Sequence, residues 1–236
     1  MALPKLNSTP KYEMNIPSTG ETVRFRPFLI KEEKSMLIAA ESGDNRTILL
    51  SLLDTLKACC DAEINENKLS TFDVEYMFLK LRAKSVGETT KIGVKCNNCG
   101  HTNTLDVNIE EIEIKKPETE KLVQLTDKIQ VELDYPTFSD VLNSDLGIKS
   151  TASEQLFSMM NFVFKTVITD DERINLKEVS KEELTDFIES MDSRQFSKVK
   201  DFIQEIPKLR HSYDIECGGC KENIKGDMEG LANFLS

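Results

Sequence analysis

Two short stretches of the sequence, KCNNCGH (residues 95–101) and YDIECGGCKENI (residues 213–224), carry cysteines at the same spacing. The two pairs are Cys96 with Cys99 and Cys217 with Cys220. Each pair follows an extended run in which apolar residues alternate with polar ones, as they do along a half-buried β-strand. The pattern predicts that each pair lies at the tip of a β-hairpin.

Together the two pairs supply four thiols, which is the number that a tetrahedral structural zinc site needs. We therefore predict a structural Zn²⁺ ion whose ligands are Cys96, Cys99, Cys217 and Cys220, held in a zinc ribbon. Because Cys99 and Cys217 stand 118 positions apart, this ribbon must be split by a long insertion. A metal that joins its two halves would close that insertion into a loop and stabilise the fold.

Two other interpretations of the cysteines remain open at this point. A redox pair is disfavoured because residues after Cys99 alternate like a strand, whereas redox pairs begin a helix. Buried thiols without metal are the second alternative. A catalytic zinc is disfavoured because four thiolates leave no position for water. His101 and His211 flank the pairs, and we interpret them as bystanders or as donors to the ligands, with replacement of one cysteine ligand as the alternative.

Two other cysteines, Cys59 and Cys60, lie at the end of an apolar helical pattern, and we expect them to pack as small buried residues.

The apolar run LFSMMNFVF (residues 156–164) is too short to span a bilayer. Core packing is its main interpretation, and a stripe that binds a partner is the alternative.

The periodicity of the apolar residues predicts an α+β fold with a mostly helical body, an N-terminal β-hairpin and the split four-cysteine zinc ribbon. A helix is predicted from Thr137 to Leu146 and another from Ser153 to Ile168, and the acidic stretch from Asp170 to Asp192 is interpreted as a solvated helix face. Four parts of the chain are predicted: residues 1–88 as the hairpin plus helices, 89–110 with 208–228 as the ribbon, 111–207 as a mixed, mainly helical insertion, and 229–236 as a short C-terminal helix.

Composition and charge favour a protein that binds other proteins. The 236 residues include 41 acidic and 30 basic ones, and the net charge of −11 repels a phosphate backbone. The start, MALPKLNSTPKYEMNIP, lacks the basic-then-apolar order of a signal peptide, so we expect the chain in a reducing cytoplasm. The sequence shows no nucleotide-binding loop and no nucleophile elbow, which makes an enzyme the weakest class.

Zinc ribbons bind either nucleic acid or proteins, and the residues near the cysteines favour proteins. The bases there barely outnumber the acids, and Tyr213 is the one aromatic residue close to the pairs. A protein-binding factor stabilised by zinc is therefore the leading hypothesis. A zinc-ribbon factor that binds nucleic acid or acts in transcription is the alternative.

Several longer segments resemble a specific family: the start ALPKLNSTPKYEMNIPSTGETVRFRPFLIKEEKSML, the stretch LSTFDVEYMFLKLRAKSVGE, the CNNC and CGGC pairs, and VELDYPTF. In this order they resemble the baseplate hub assembly proteins of T-even-like contractile-tailed bacteriophages. The resemblance covers most of the chain.

The resemblance implies a non-enzymatic phage protein that helps to build the central hub of the tail baseplate, as an assembly chaperone or as a hub component. Its partners would be hub proteins or other tail proteins, with no nucleic acid and no membrane. It would act in the host cytoplasm during assembly, and either leave or stay in the baseplate of the virion. We expect the contact surface to include Arg24, Arg26, Arg82 and Lys84, because they are locally basic on an acidic chain.

Overall fold

The computed structural model describes residues 10–114, 120–144 and 152–234, which form two compact units. One unit contains residues 10–65, 72–114 and 208–234, and we call it the cysteine unit. The other contains residues 66–71, 120–144 and 152–207, and we call it the sheet unit. The cysteine unit is thus assembled from three separate stretches of the chain.

The predicted N-terminal hairpin is confirmed. Strands β1 (Tyr12–Asn15) and β2 (Thr22–Phe25) pair antiparallel, and the turn between them contains Gly20 in a left-handed conformation. Phe25 is buried and forms a β-bridge with Cys60, which directly follows the helix that ends at Cys59, so the hairpin is joined to the end of that helix.

Three helices follow the hairpin: α1 (Ile30–Ser42), α2 (Asn45–Cys59) and α3 (Thr71–Ser85). Gly43 ends α1 in a left-handed conformation, and the Asp44 side chain accepts a hydrogen bond from the Thr47 backbone to begin α2. The Asp73 carboxylate on α3 accepts a hydrogen bond of 2.9 Å from the Ser18 backbone, which fastens the hairpin turn to this helix.

Two seven-residue hairpins complete the cysteine unit. Their strands are β3 (Thr89–Lys95) with β4 (Thr102–Asn108), and β9 (Arg210–Glu216) with β10 (Asn223–Glu229). Both hairpins pack on one apolar core with α2 and α3, and its buried members are Leu52, Phe78, Leu79, Ala83, Ile92, Val107, Ile109, Ile112, Leu209, Met228, Leu231 and Phe234. The predicted C-terminal helix is observed as a 3₁₀ turn at Leu231–Phe234. Glu229 belongs to β10, and residues 235–236 lie outside the described residues.

The sheet unit contains a four-stranded antiparallel sheet of order β5-β6-β7-β8. The strands are β5 (Leu122–Thr126), β6 (Ile129–Leu133), β7 (Phe164–Ile168) and β8 (Arg173–Asn175). The helices are α4 (Phe138–Leu142), α5 (Ala152–Val163), α6 (Lys181–Glu189) and α7 (Ser193–Gln204). Ser180 with Glu183, and Asp192 with Gln195, form capping boxes that begin α6 and α7.

The predicted helix from Ser153 to Ile168 is wrong in its last five residues, which form β7. Apolar residues at helical spacing continue from α5 into this segment, so the local pattern does not show the change. The strand forms because it pairs with β6 on one side and β8 on the other.

The predicted helical face at Asp170–Asp192 is likewise wrong at its start, where Arg173–Asn175 is strand β8. Of the helix predicted from Thr137, Phe138–Leu142 is observed and residues 145–146 lie outside the described residues.

The α+β class is confirmed, with helices beside small antiparallel sheets. Within the apolar run at 156–164, Met160 and Val163 are fully buried in the core of the sheet unit, as core packing predicts. Among the described helices, none is both long and apolar enough to cross a membrane.

Candidate metal centre

The first cysteine pair lies in the tight turn between β3 and β4, and we call residues 95–101 the first knuckle. The Cys96 backbone N–H donates to the carbonyl of His101 at 2.8 Å, and the Gly100 N–H donates back to the carbonyl of Cys96 at 2.9 Å. These two bonds close the turn around the thiols.

The second pair lies between β9 and β10 in a turn of the same design, and we call residues 216–222 the second knuckle. The Cys217 N–H donates to Glu222 at 2.8 Å, and the Lys221 N–H donates to Cys217 at 2.9 Å. In both knuckles the residue four positions after the first cysteine has a left-handed backbone, with φ of 74° at Gly100 and 64° at Lys221. The knuckles therefore share one backbone geometry although their sequences differ.

The hairpins bring all four thiols together. Their sulfur atoms lie within 4.8 Å of one another, with 3.8 Å between Cys96 Sγ and Cys220 Sγ and 3.6 Å between Cys99 Sγ and Cys217 Sγ. The prediction that these four cysteines cluster from separated segments is confirmed. Such a cluster of four soft ligands is consistent with a metal site.

Close backbone contact between the knuckles depends on glycine. A methyl group on Gly219 would lie 2.9 Å from His101 Cβ, closer than such atoms approach in proteins, and 3.2 Å from Cys99 Sγ, which is tighter than most such contacts. His101 thus packs against the second knuckle from outside the thiol cluster. His211 pairs with Met228 at the end of β9 that is far from the knuckle.

Asn103 on β4 links the two hairpins, and the sequence analysis missed it. Its side-chain oxygen accepts a hydrogen bond from the Gly218 N–H at 2.8 Å, and its amide nitrogen donates to Cys217 Sγ at 3.7 Å. The side chain is buried, which is unusual for an amide on a strand. Asn103 occupies one of the inward-facing positions in the alternating pattern of β4, and a polar residue at such a position could have identified it from the sequence.

The surroundings of Cys217 favour its thiolate. The backbone N–H of Cys220 is the largest cause, and the N–H of Gly219 and the amide of Asn103 add to it. Burial acts in the opposite direction, and the net result lowers the pKa of Cys217 to about 6. Thiolate is the form that binds metal.

The surroundings of Cys99 have the opposite effect and favour its neutral thiol. The backbone N–H of His101 favours its thiolate, but burial and hydrogen bonds with the three neighbouring thiols outweigh that donor and raise the pKa of Cys99 to about 12. Four clustered sulfur atoms cannot all carry negative charge without a cation, so protons are shared among them. The cluster is chemically suited to exchange those protons for a thiophilic metal ion.

Cys59 and Cys60 lie at the end of α2, away from this cluster. Cys59 is buried, as expected for a cysteine that packs as an apolar residue, and Cys60 is half-buried. Burial raises the pKa of Cys60 to about 12, which keeps this thiol protonated and unreactive.

Three of the four basic residues expected at a contact surface form ion pairs within the chain. Arg24 pairs with Glu13 and Arg26 with Glu32, both at 2.9 Å, and Lys84 pairs with Glu88 at 2.6 Å. Arg82 differs, because its Nη1 atom is buried and has no hydrogen-bond partner among the described residues.

Residues 9–236 match the model of one protein family, described as T4 bacteriophage base plate protein. The chain belongs to this family. The match extends over both units, so the baseplate family accounts for the cysteine unit and the sheet unit alike. No curated protein and no solved structure matches the chain. As a member of the baseplate family, the protein is expected to interact with tail proteins.

Proposed function

We propose that this baseplate protein acts in building the hub of the tail baseplate, as an assembly chaperone or as a component of the hub. It works by binding hub proteins or other tail proteins, without catalysis. The family match over residues 9–236 is the observation that carries this proposal. The site of action is the host cytoplasm during assembly, and retention in the virion would mark a hub component.

The proposal includes one structural zinc ion bound by Cys96, Cys99, Cys217 and Cys220. Three observations support it: the sulfur atoms lie within 4.8 Å of one another, the two knuckles share one backbone geometry, and N–H donors surround Cys217. When bound, the ion supplies a cross-link between two hairpins that are distant in sequence. Four sulfur ligands fill the tetrahedron, which suits a structural role.

Charges around the second knuckle weigh against the nucleic-acid alternative. Lys225 pairs with Asp214 at 2.7 Å, and Arg210 pairs with Asp227 at 2.6 Å. Bases that are already neutralised by carboxylates contribute little to binding phosphate. This hairpin therefore offers no basic strip along which a nucleic-acid strand could lie.

Metal analysis tests the zinc site. Protein purified without chelator should contain one zinc ion per chain, and Cys217→Ser should lose most of it together with thermal stability, because one missing ligand weakens the whole cross-link. Cys59→Ala is the matched control and should keep its zinc. Wild-type protein without zinc, or undiminished zinc in Cys217→Ser, would show that the thiols serve another purpose.

A tagged copy purified from infected cells tests the assembly role. Mass spectrometry should find hub or other tail proteins, and a phage that lacks the protein should stall in tail assembly while its transcription and DNA synthesis continue. Recovery of RNA polymerase subunits without tail proteins would instead favour the transcription alternative.

Arg82 is the basic residue that we propose to contact the partner. Half-buried Arg82 forms no ion pair among the described residues, so the exposed part of its guanidinium can meet a carboxylate of another protein. Arg82→Glu in folded, zinc-loaded protein should therefore reduce the recovery of tail proteins at least tenfold. Arg24→Glu is the control, and equal loss in both variants would contradict a specific role for Arg82.

A further inference from the structure

Helix α1 carries large aliphatic side chains on its outward face. Ile30, Leu37 and Ile38 are 76%, 59% and 58% exposed, whereas Ala39 is buried and Met36 packs against the core of the cysteine unit. A protein seldom leaves three such residues exposed on one helix face unless they meet another molecule.

Two charged residues belong to the same face. With 3.6 residues per turn, an arc of about 100° contains the three aliphatic residues together with Lys34 and Glu41. We call this set, Ile30, Lys34, Leu37, Ile38 and Glu41, the α1 stripe. Lys34 and Glu41 are exposed, and neither forms an ion pair within the part of the chain that the structure describes. Their charges are thus available to another molecule.

The order of residues along the α1 stripe is self-complementary. A positive charge stands one turn before the apolar pair Leu37 and Ile38, and a negative charge stands one turn after it. When two copies of such a helix run antiparallel about a two-fold axis, each Lys34 faces Glu41 of the second copy, and the apolar pairs meet in the centre. A symmetric dimer requires this self-complementarity of its contact patch.

We propose that the α1 stripe binds a second copy of this chain, so that two copies associate through antiparallel α1 helices. The net charge of −11 makes two copies repel each other at long range, and the two Lys34–Glu41 pairs oppose that repulsion where the chains meet. Their positions also select the antiparallel register over other ways of joining two apolar patches.

The small size of the contact limits its strength. One helical face from each copy buries less surface than the roughly 1,600 Å² of a standard stable interface. The exposed Leu29, directly before α1, extends the apolar surface by one side chain. A dimer with a dissociation constant of about 10–100 μM is therefore expected.

Analytical ultracentrifugation of the full, zinc-loaded chain between about 5 and 500 μM tests the proposal, and the sedimentation of the wild-type protein should change from monomer to dimer over this range. Leu37→Asp should weaken association at least thirtyfold, because it buries a charge in the centre of the contact. Leu122→Asp is the control, since Leu122 is an exposed leucine on β5 outside the stripe. Wild-type protein that stays monomeric throughout would overturn the proposal and leave the stripe for a helix of another protein.

Exchange of the two charges tests the register. Lys34→Glu or Glu41→Lys alone should each weaken the homodimer about tenfold, because like charges then face each other twice. The double variant should regain association, and so should an equimolar mixture of the two single variants, in which every pair is again opposite in sign. Lys181→Glu on α6 makes the same change of charge elsewhere and should have no effect. A dimer that neither combination restores would refute the antiparallel contact.

Discussion

The two knuckles have the same turn and different support. Each closes through the same two backbone hydrogen bonds and holds two thiols in the same way. The strand that leads into the first knuckle buries every second residue, including Ile92 and Val94. The strand that leads into the second knuckle buries no residue fully, and Tyr213 and Ile215 on it are only half-buried.

The difference separates what shapes a knuckle from what holds it in place. The turn geometry comes from the cysteine spacing and the local hydrogen bonds, so it recurs in both. The position of the first knuckle is set by burial of its strands in the core. The position of the second knuckle depends more on contacts at the two ends of its hairpin. These are the thiol cluster at one end and the core residues Met228 and Leu231 at the other.

Metal removal should reveal this difference most strongly. When a chelator removes the proposed zinc ion, amide hydrogen exchange at the tip of the β9–β10 hairpin should accelerate by about 1,000-fold, because the proposed cross-link would be a main support of that end. Exchange in the inner half of β3–β4 should accelerate far less, since Ile92 and Val107 stay in the core.

Strands β5 to β8 are the internal control, and their exchange should not change. Equal acceleration in both hairpins would show that core burial does not support the first knuckle independently of the metal. No acceleration in either would show that the metal supports neither knuckle.

Glu75 on α3 provides an anchor at the other end of the second hairpin. Its carboxylate accepts a hydrogen bond from the Leu231 backbone N–H just after β10, and Lys208 lies near enough to favour its charged form. Burial outweighs both and raises the pKa of Glu75 to about 7 from its ordinary 4.5. The folded protein therefore prefers this side chain neutral.

The sign of the pH effect follows from that raised pKa. The contribution of neutral Glu75 to the unfolding free energy is fully present below pH 4.5. It is lost as the pH rises toward 7, where the folded state must ionise a buried carboxyl. Glu75→Gln keeps an acceptor for Leu231 without titrating. Between pH 4.5 and 7.5, the wild type should lose about 3 kcal/mol of unfolding free energy relative to Glu75→Gln.

Urea unfolding of both proteins across this pH range provides the measurement. Any pH dependence of zinc binding is common to both proteins and cancels in the difference. A difference in unfolding free energy that does not vary with pH would mean that folding does not raise the pKa of Glu75.

The smallest expected difference between the knuckles concerns the residue with a left-handed backbone, which is Gly100 in the first knuckle and Lys221 in the second. Gly100 adopts φ of 74° without cost, whereas Lys221 adopts φ of 64° with a side chain that disfavours it. Lys221→Gly should therefore raise the unfolding free energy by about 0.5–1 kcal/mol, and Gly100→Ala should lower it by a similar amount. Thermal unfolding of the zinc-loaded variants measures both changes, and shifts of the same sign would show that the two positions are not equivalent.

Local patterns predicted those parts of the fold that are determined locally. The alternation before each cysteine pair correctly placed the two hairpins. Strand β7 was missed because Phe157, Met160, Val163, Phe164 and Val167 keep the spacing of a helix. Its pairing with β6 and β8 outweighs that local preference.

The same limit applies to the metal centre. Cysteine spacing identified the four clustered thiols, because the spacing itself fixes the turn. The contacts of Asn103 with Gly218, and of His101 with Gly219, depend on how two distant hairpins face each other. No local pattern describes that orientation, so Asn103 was missed and the packing of His101 against Gly219 was not predicted.

The split of the cysteine unit along the chain governs when it can mature during translation. Residues 208–234 supply Leu209, Met228, Leu231 and Phe234 to its core, and they leave the ribosome only after the entire sheet unit. At roughly 5–20 residues per second, the first knuckle waits several seconds for the second. The unit that starts first is completed last, so a ribosome that stalls within the sheet unit releases a chain with two of the four clustered thiols and an open core.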